Sequence, residues 1–151
     1  MRVNIFWGFF TPWLLAVWLL RRQEKLIVTI VPFVWVVATA VNVWGDKKKF
    51  WLLKPKLKKN QYLTTMPLNL GLYPILSVVM VYLIKKTENN YILWVTIFSF
   101  LTTAAEFCAV LLGKAQYNSG WNTLKTFFSY LIPYYLVYRY YLWIIKVRFF
   151  L

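Results

Sequence analysis

One acidic residue, Glu106, stands inside the apolar stretch "LTTAAEFCAVLLGK" (residues 101–114), where its carboxyl group is the clearest candidate for chemistry. The chain has only 4 Asp and Glu residues among 151, against 18 Lys and Arg. A charged side chain deep in a bilayer costs about 3 kcal/mol, so an acid placed there is protonated, paired or in contact with water. Glu106 therefore marks the candidate site.

Two hydroxyl groups precede Glu106 at helical spacing. Thr102 and Thr103 lie four and three residues before it, on the same helical face, and are expected to offer hydroxyl donors to the carboxylate. Two interpretations of the acid remain open. Glu106 either binds a proton or a substrate, or it joins neighbouring helices through polar contacts worth about 0.6 kcal/mol each.

The last apolar segment is expected to bring further polar groups to the same depth. Ser129 and Tyr130 are predicted to lie level with Glu106 when that segment runs back across the bundle. Lys125 lies nearer the surface and is expected to bend inward to meet the carboxylate.

The stretch "MPLNLGLYP" (residues 66–74) predicts a kinked or broken helix. Pro67 and Pro74 each remove a backbone donor, and Gly71 permits close approach of another backbone. Asn69 adds an amide and completes the predicted polar cluster. Such a break either exposes carbonyl groups that line a cavity or is filled by a neighbouring helix. Nearby, Asn42 precedes the Gly-Asp pair at residues 45–46, which predicts a cap or a turn.

The elements that must position these groups are five apolar segments, at residues 3–20, 26–44, 63–84, 91–112 and 124–145. A helix needs about 20 residues to cross a hydrocarbon layer about 30 Å thick, and each segment is close to that length. Backbone groups cannot stay unpaired in lipid, so runs of this length must be helical. The sequence predicts an all-α integral membrane protein, a single transmembrane domain over residues 1–151 built as a five-helix bundle.

Composition and charge support the membrane class. The chain is 61% hydrophobic and only 15% charged, whereas soluble domains carry about 25% charged residues. The net charge of +14 comes from basic residues that flank the apolar segments. Each such residue attracts anionic headgroups by roughly 1 kcal/mol, so the expected partner is the lipid bilayer and not nucleic acid.

The longest connection, residues 45–62, holds seven lysines and is predicted to be a basic interfacial loop between helices 2 and 3. With five spans, ten Lys and Arg fall on the N-terminal side and eight on the other. The dense basic loop favours a cytoplasmic N-terminus under the positive-inside rule.

The residue inventory excludes several chemistries. The chain has no histidine and one cysteine, Cys108, so the usual zinc and haem sites and a histidine-dependent triad are ruled out. No glycine-rich phosphate loop of the GxxxxGK[ST] type occurs. We therefore expect no enzymatic activity, no metal site and no cofactor.

Three stretches resemble a family of uncharacterised small multi-pass membrane proteins from spore-forming Bacillota (bacilli and clostridia). They are "NLGLYPIL" (residues 69–76), the acid Glu106 with its short spacer, and "GWNTLKTFFSY" (residues 120–130). The resemblance covers roughly residues 60–150. It implies a bacterial cell membrane location and no assigned biochemistry. The family often has an acid before the Leu-Tyr-Pro motif, where this chain has Asn69.

Three hypotheses for function follow. The leading one is a structural or partner-binding membrane protein, whose partner is another membrane protein or a second copy of the chain. The alternative is a small transporter or ion-pathway subunit in which Glu106 binds a proton or a cation. The third is a lipid-modifying enzyme that uses Glu106 together with the basic loop.

Overall fold

The computed structural model describes residues 2–19, 21, 23–57, 60–87 and 90–149, and the chain is mostly helical. Each of the five apolar segments forms a helix. Leu20, at the end of the first predicted span, and Lys58 and Lys59 of the basic loop lie outside the described residues.

Two of the five helices contain a π-helical segment. Helix α1 consists of Arg2–Ile5, the π-helical Phe6–Phe10 and Thr11–Leu19. Helix α3 consists of the π-helical Leu68–Leu72 followed by Tyr73–Thr87. The other helices are α2 (Glu24–Lys47), α4 (Tyr91–Leu111) and α5 (Thr123–Phe149).

Three of these helices, α2, α3 and α4, are long and apolar enough to cross a membrane. Helix α1 contributes a shorter apolar stretch, Phe6–Val17. Helix α5 is the longest at 27 residues, but tyrosines and basic residues make it less apolar. The predicted helical class is confirmed, and the described residues form five helices, of which three have the length and apolar composition of a membrane span.

Helices α2 to α5 pack around a common core, and α1 lies outside them against α3. Helix α5 contacts both α4 and α2, which closes the four-helix arrangement. The core is apolar, and the residues at its centre are almost entirely buried: Ile30, Val34, Val78, Met80, Val81, Val95 and Val137.

A two-stranded antiparallel ribbon joins the connections at one end of the bundle. Strand β1 (Trp51–Leu53) follows α2, strand β2 (Ala115–Tyr117) follows α4, and Leu52 lies opposite Gln116. The sequence pattern does not predict this ribbon, because three-residue strands carry too short an alternation to be recognised. The all-α prediction is therefore incomplete: the basic loop is partly a strand.

Gly113 turns the chain from α4 into β2. Its φ of +65° places it in the left-handed region, and the amide of Lys114 donates to the carbonyl of Ala109 at 2.8 Å. This is the Schellman arrangement that ends many helices, and glycine adopts it without steric cost. The helix ends where the ribbon must begin.

The π-helical segments of α1 and α3 lie against each other. A Cβ atom on Gly71 would overlap the carbonyl oxygen of Gly8 and come within 2.6 Å of the Cα of Phe9. A Cβ on Gly8 would meet the side chain and amide of Leu68 at 3.2 Å. Gly71 therefore permits the close backbone approach that its position in the sequence predicts.

The break in α3 is filled by neighbouring helices. Pro74 has no N–H to donate to the carbonyl of Leu70, four residues earlier. The indole N–H groups of Trp13 in α1 and Trp35 in α2 donate to that carbonyl at 3.1 and 3.2 Å. Since a carbonyl in an apolar environment needs a donor, the two tryptophans replace the one that proline removes. The carbonyl is thus used in packing between helices.

Candidate functional site

A cavity of about 160 Å³ lies at the ribbon end of the bundle, and Glu106 is one of the residues that line it. Helices α2 to α5 and strand β1 all contribute to its wall. Polar groups from four elements face it, among them Asn42, Thr65, Tyr73 and Tyr130. About 10–15 Å³ of such space holds one water molecule, so the cavity has room for several waters or a small organic group.

The carboxylate of Glu106 accepts hydrogen bonds from two hydroxyl groups of α5. The Tyr130 hydroxyl donates to Oε2 at 2.5 Å, and the Thr126 hydroxyl donates to Oε1 at 3.4 Å. The Tyr73 hydroxyl lies 3.1 Å from that of Tyr130. Because Tyr130 uses its proton on the carboxylate, Tyr73 is the donor in this second bond.

The other branch of the network reaches the loop that follows β2. The indole N–H of Trp121 donates to the Thr126 hydroxyl at 2.9 Å. Thr126 is 1% exposed, so this bond and its bond to Glu106 fix a buried hydroxyl. The complete network runs from Tyr73 through Tyr130, Glu106 and Thr126 to Trp121.

Tyr117, the last residue of β2, adds a polar group beside the network. Its hydroxyl oxygen is buried and has no hydrogen-bond partner among the described residues. Burial raises the pKa of this phenol above its ordinary value, and the nearby carboxylate of Glu106 acts in the same direction. The group stays a neutral potential donor at physiological pH.

The two predicted threonine donors bind elsewhere. Thr102 Oγ1 lies 2.7 Å from the carbonyl of Phe98 and 2.9 Å from the hydroxyl of Tyr134. The Thr103 hydroxyl donates to the carbonyl of Ser99 at 2.7 Å. Threonines inside a helix often bond the carbonyl four residues back, and here that local bond replaces the expected one to Glu106. Thr102 nonetheless lines the cavity.

Ser129 and Lys125 also differ from the prediction. The Ser129 hydroxyl donates to the carbonyl of Thr126 at 2.8 Å, although the residue lines the cavity. The Lys125 ammonium donates to the carbonyl of Gly120 at 2.6 Å in an exposed position. An ammonium group that finds an acceptor at the surface avoids the cost of desolvation, so Lys125 does not turn inward to Glu106.

Asn69 and Asn42 form a buried amide pair. Asn42 Nδ2 donates to Asn69 Oδ1 at 2.8 Å, and the indole of Trp51 donates to Asn42 Oδ1 at 3.3 Å. The cap or turn prediction for Asn42 is wrong because α2 continues to Lys47. Asn69 bonds Asn42 and not Glu106, so it lies beside the cavity network and is not part of it.

Four aromatic side chains cover this end of the bundle. Trp44, Phe50, Trp51 and Trp121 have ring centroids 4.6 to 6.4 Å apart in every pair. Trp51 lines the cavity and Trp121 bonds Thr126, so the cluster is continuous with the site. The ribbon and these rings bring residues of distant sequence over Glu106.

Of the predicted cluster, Glu106 and Tyr130 are the two residues that the structure joins by a hydrogen bond. Sequence reasoning missed Tyr73, Thr126 and Trp121. A signal existed for Thr126, which precedes Tyr130 by four residues and therefore shares its helical face. No comparable signal pointed to Tyr73 or Trp121, which reach the network from other elements.

The described residues contain no group of three or more His, Cys, Asp or Glu side chains that could hold a metal ion. Cys108 is exposed. The groups available at the site are thus one carboxylate, three phenols, the amide of Asn42 and several aliphatic hydroxyls.

Comparison of the chain with protein-family models, with curated proteins and with solved structures finds no match.

Proposed function

We propose that the chain is a multi-pass protein of the bacterial cell membrane with five spans, and that its cavity binds a small cation at Glu106. In this proposal α1 and α5 cross the bilayer together with α2, α3 and α4. Asn4, in the first turn of α1, donates to the carbonyls of Lys54 and Thr64, so α1 begins at the ribbon end. Successive helices then alternate in direction, which supports five crossings.

The observation that carries the proposed function is the carboxylate of Glu106 in a cavity large enough for a ligand. A carboxylate has about four acceptor positions, and Tyr130 and Thr126 use two of them. No cationic side chain of the described residues bonds it, since Lys125 points to Gly120. The remaining acceptor capacity is available to a proton or to a small cation that carries N–H groups.

The rest of the lining favours a ligand with an apolar body. Trp51, Tyr73 and Tyr130 present aromatic rings to the cavity, and aromatic faces attract cations. Leu52, Leu68 and further aliphatic residues complete the wall. A small alkylammonium ion matches both features, whereas a strongly hydrated metal ion prefers several carboxylate or carbonyl oxygens and gains nothing from the apolar wall.

A purely structural or partner-binding role would leave the cavity without a ligand, and Glu106 would serve as an acceptor that joins α4 to α5. The two roles differ in what occupies the carboxylate. Under the binding proposal, a cation competes with reagents that attack the carboxyl group. Under the structural hypothesis, no cation does so.

A carbodiimide labelling experiment tests the proposal, because hydrophobic carbodiimides modify protonated carboxyl groups in apolar surroundings. We expect a single adduct by intact mass spectrometry, lost in Glu106→Gln and retained in the control Glu24→Gln, which removes an exposed carboxylate. A panel of methylammonium, ethylammonium and guanidinium ions should include at least one that slows labelling several-fold. Labelling unaffected by every cation would contradict cation binding and leave the structural role.

A transport function would extend this binding to movement across the bilayer. In proteoliposomes that contain a pH-sensitive dye, a protecting cation should drive a proton flux that Glu106→Gln abolishes and Glu24→Gln preserves. Protection without flux would restrict the function to binding. Equal flux in the wild type and Glu106→Gln would exclude this carboxylate from the pathway.

A further inference from the structure

A second cleft, of about 750 Å³, lies at the end of the bundle opposite the ribbon. We call it the basic cleft, and its charged lining residues are Arg21, Lys25, Lys85 and Glu24. They come from the α1–α2 connection, the first turn of α2 and the last turn of α3. We propose that the basic cleft binds the phosphate headgroup of an anionic phospholipid.

Charge is the first argument for this ligand. Three cationic side chains against one carboxylate give a net positive charge to the lining of this cleft, which forms where the α1–α2 connection meets α2, α3 and α5. A phosphate group offers several acceptor oxygens, and an Arg guanidinium binds two of them in a fork while Lys contributes a compact charge. Cations that face one cleft repel each other, and an anion between them relieves that repulsion.

The apolar part of the lining decides between a lipid and a free phosphate. Leu26, Ile144 and Ile145 border the same cleft, beside the cationic residues. Ile145 is 38% exposed, so its side chain is available to an acyl chain. A lining with cationic and apolar residues side by side matches an amphiphile, whose headgroup and acyl chain contact one part each. A free phosphate would contact only the cationic part.

The position of the basic cleft agrees with a lipid ligand. Glu24 starts α2, and Lys85 lies two residues before the end of α3 at Thr87, so the charges lie at the ends of two membrane-length helices. Headgroups occupy that level of a bilayer. The ribbon-end lysines Lys47, Lys48 and Lys49 differ, because they are exposed side chains at the end of α2 and line none of the cavities described above.

Native mass spectrometry of the full-length protein in a neutral detergent tests the proposal. Phosphatidylglycerol and phosphatidylcholine are titrated separately, and the variant R21Q/K25Q/K85Q is compared with K47Q/K48Q/K49Q, which loses the same charge from the other end. We expect phosphatidylglycerol to bind more tightly than phosphatidylcholine. The cleft variant should weaken that binding on the order of tenfold to a hundredfold, and the ribbon-end variant should leave it within about threefold.

The variant Glu24→Gln keeps the test informative if the triple variant does not fold. Removing the one carboxylate of the cleft should strengthen phosphatidylglycerol binding several-fold, an increase that misfolding does not produce. Inorganic phosphate and glycerol phosphate distinguish the source of the anion and should not displace the lipid at equal concentration.

Four results would overturn the proposal: equal losses in the two triple variants, equal binding of the two lipids, no gain in Glu24→Gln, or displacement by free phosphate. The inference stands apart from cation binding at Glu106, since the two sites share no residue.

Discussion

Different interactions stabilise the two ends of the bundle. We call the end that carries strands β1 and β2 the ribbon half, and the end that carries the α1–α2 connection the opposite half. In the ribbon half, side chains bond between helices: Asn42 bonds Asn69, and Glu106 bonds Tyr130. In the opposite half the core consists of aliphatic and aromatic side chains, and the buried hydroxyl of Ser99 donates to a carbonyl of its own helix. In the buried interior, polar pairing between helices specifies the ribbon half and apolar packing specifies the opposite half. At the exposed edge of the opposite half, the Trp94 indole of α4 also donates to the Thr87 hydroxyl of α3 at 3.0 Å.

This difference indicates where function can be placed. Packed apolar side chains fill the interior of the opposite half and leave room for a ligand only in the basic cleft at its end, whereas polar groups that must satisfy each other fix positions around an interior cavity in the ribbon half. In lipid, apolar packing has no solvent-driven component, so close approach of helices and interhelical hydrogen bonds determine which helices associate. The ribbon half has both, through Gly71 and the amide pair.

The largest effect should come from closing the contact between α1 and α3. Gly71→Ala would place a methyl group against the backbone of Gly8, which cannot move aside, and we expect a loss of about 3 kcal/mol in the free energy of unfolding. Gly8→Ala should change it by about 1 kcal/mol or less, because its contacts at 3.2 Å need only a small shift. Denaturation with sodium dodecyl sulfate, followed by circular dichroism, measures both. Equal denaturation midpoints for the Gly71→Ala and Gly8→Ala variants would show that the close contact at Gly71 does not determine stability.

An intermediate effect is expected at the amide pair. Asn42→Leu leaves the buried carbonyl oxygen of Asn69 without its donor and should cost about 2 kcal/mol. The double variant Asn42→Leu/Asn69→Leu should lose less than the sum of the two single changes, because no unpaired amide remains. In the other half, Ser99→Ala removes a bond within one helix and should cost less than about 0.5 kcal/mol. If Ser99→Ala proved as costly as Asn42→Leu, the distinction between the halves would fail.

The smallest effect is expected where the two halves meet, at the hydrogen bond between Thr102 and Tyr134. A double-mutant cycle of Thr102→Val and Tyr134→Phe should give a coupling free energy of about 0.6 kcal/mol, since their hydroxyls lie 2.9 Å apart on different helices. The matched cycle of Thr103→Val with Tyr134→Phe should give none, because Thr103 bonds its own helix. Coupling in the second cycle, or no coupling in the first, would show that hydrogen bonds between helices do not end at Thr102.

Particular residues show why the candidate site was only partly predictable. Glu106 was identifiable because a carboxyl group within an apolar helix is costly wherever the helix packs. Tyr130 was expected from depth alone, since antiparallel helices bring residues of equal depth together. Thr102 and Lys125 have the right position and type, yet each finds a closer acceptor in the backbone. The depth of a residue in the bundle follows from its position along one helix. Its hydrogen-bond partner also depends on the acceptors that surround it in the folded chain.

The sequence by itself determined the mostly helical class, the approximate bounds of five helices, three of them long and apolar enough to cross a membrane, and the acid Glu106 within one of those three, because apolar length and composition are local properties. Only the tertiary structure decided that Asn42 meets Asn69 across 27 positions of the chain and that Trp51 pairs with Tyr117 in the ribbon. Helices that are apolar on nearly every side contain little information about which face turns inward. Close packing at Gly71 and the pairing of a few polar groups fix that rotation, and both depend on residues far apart in the sequence.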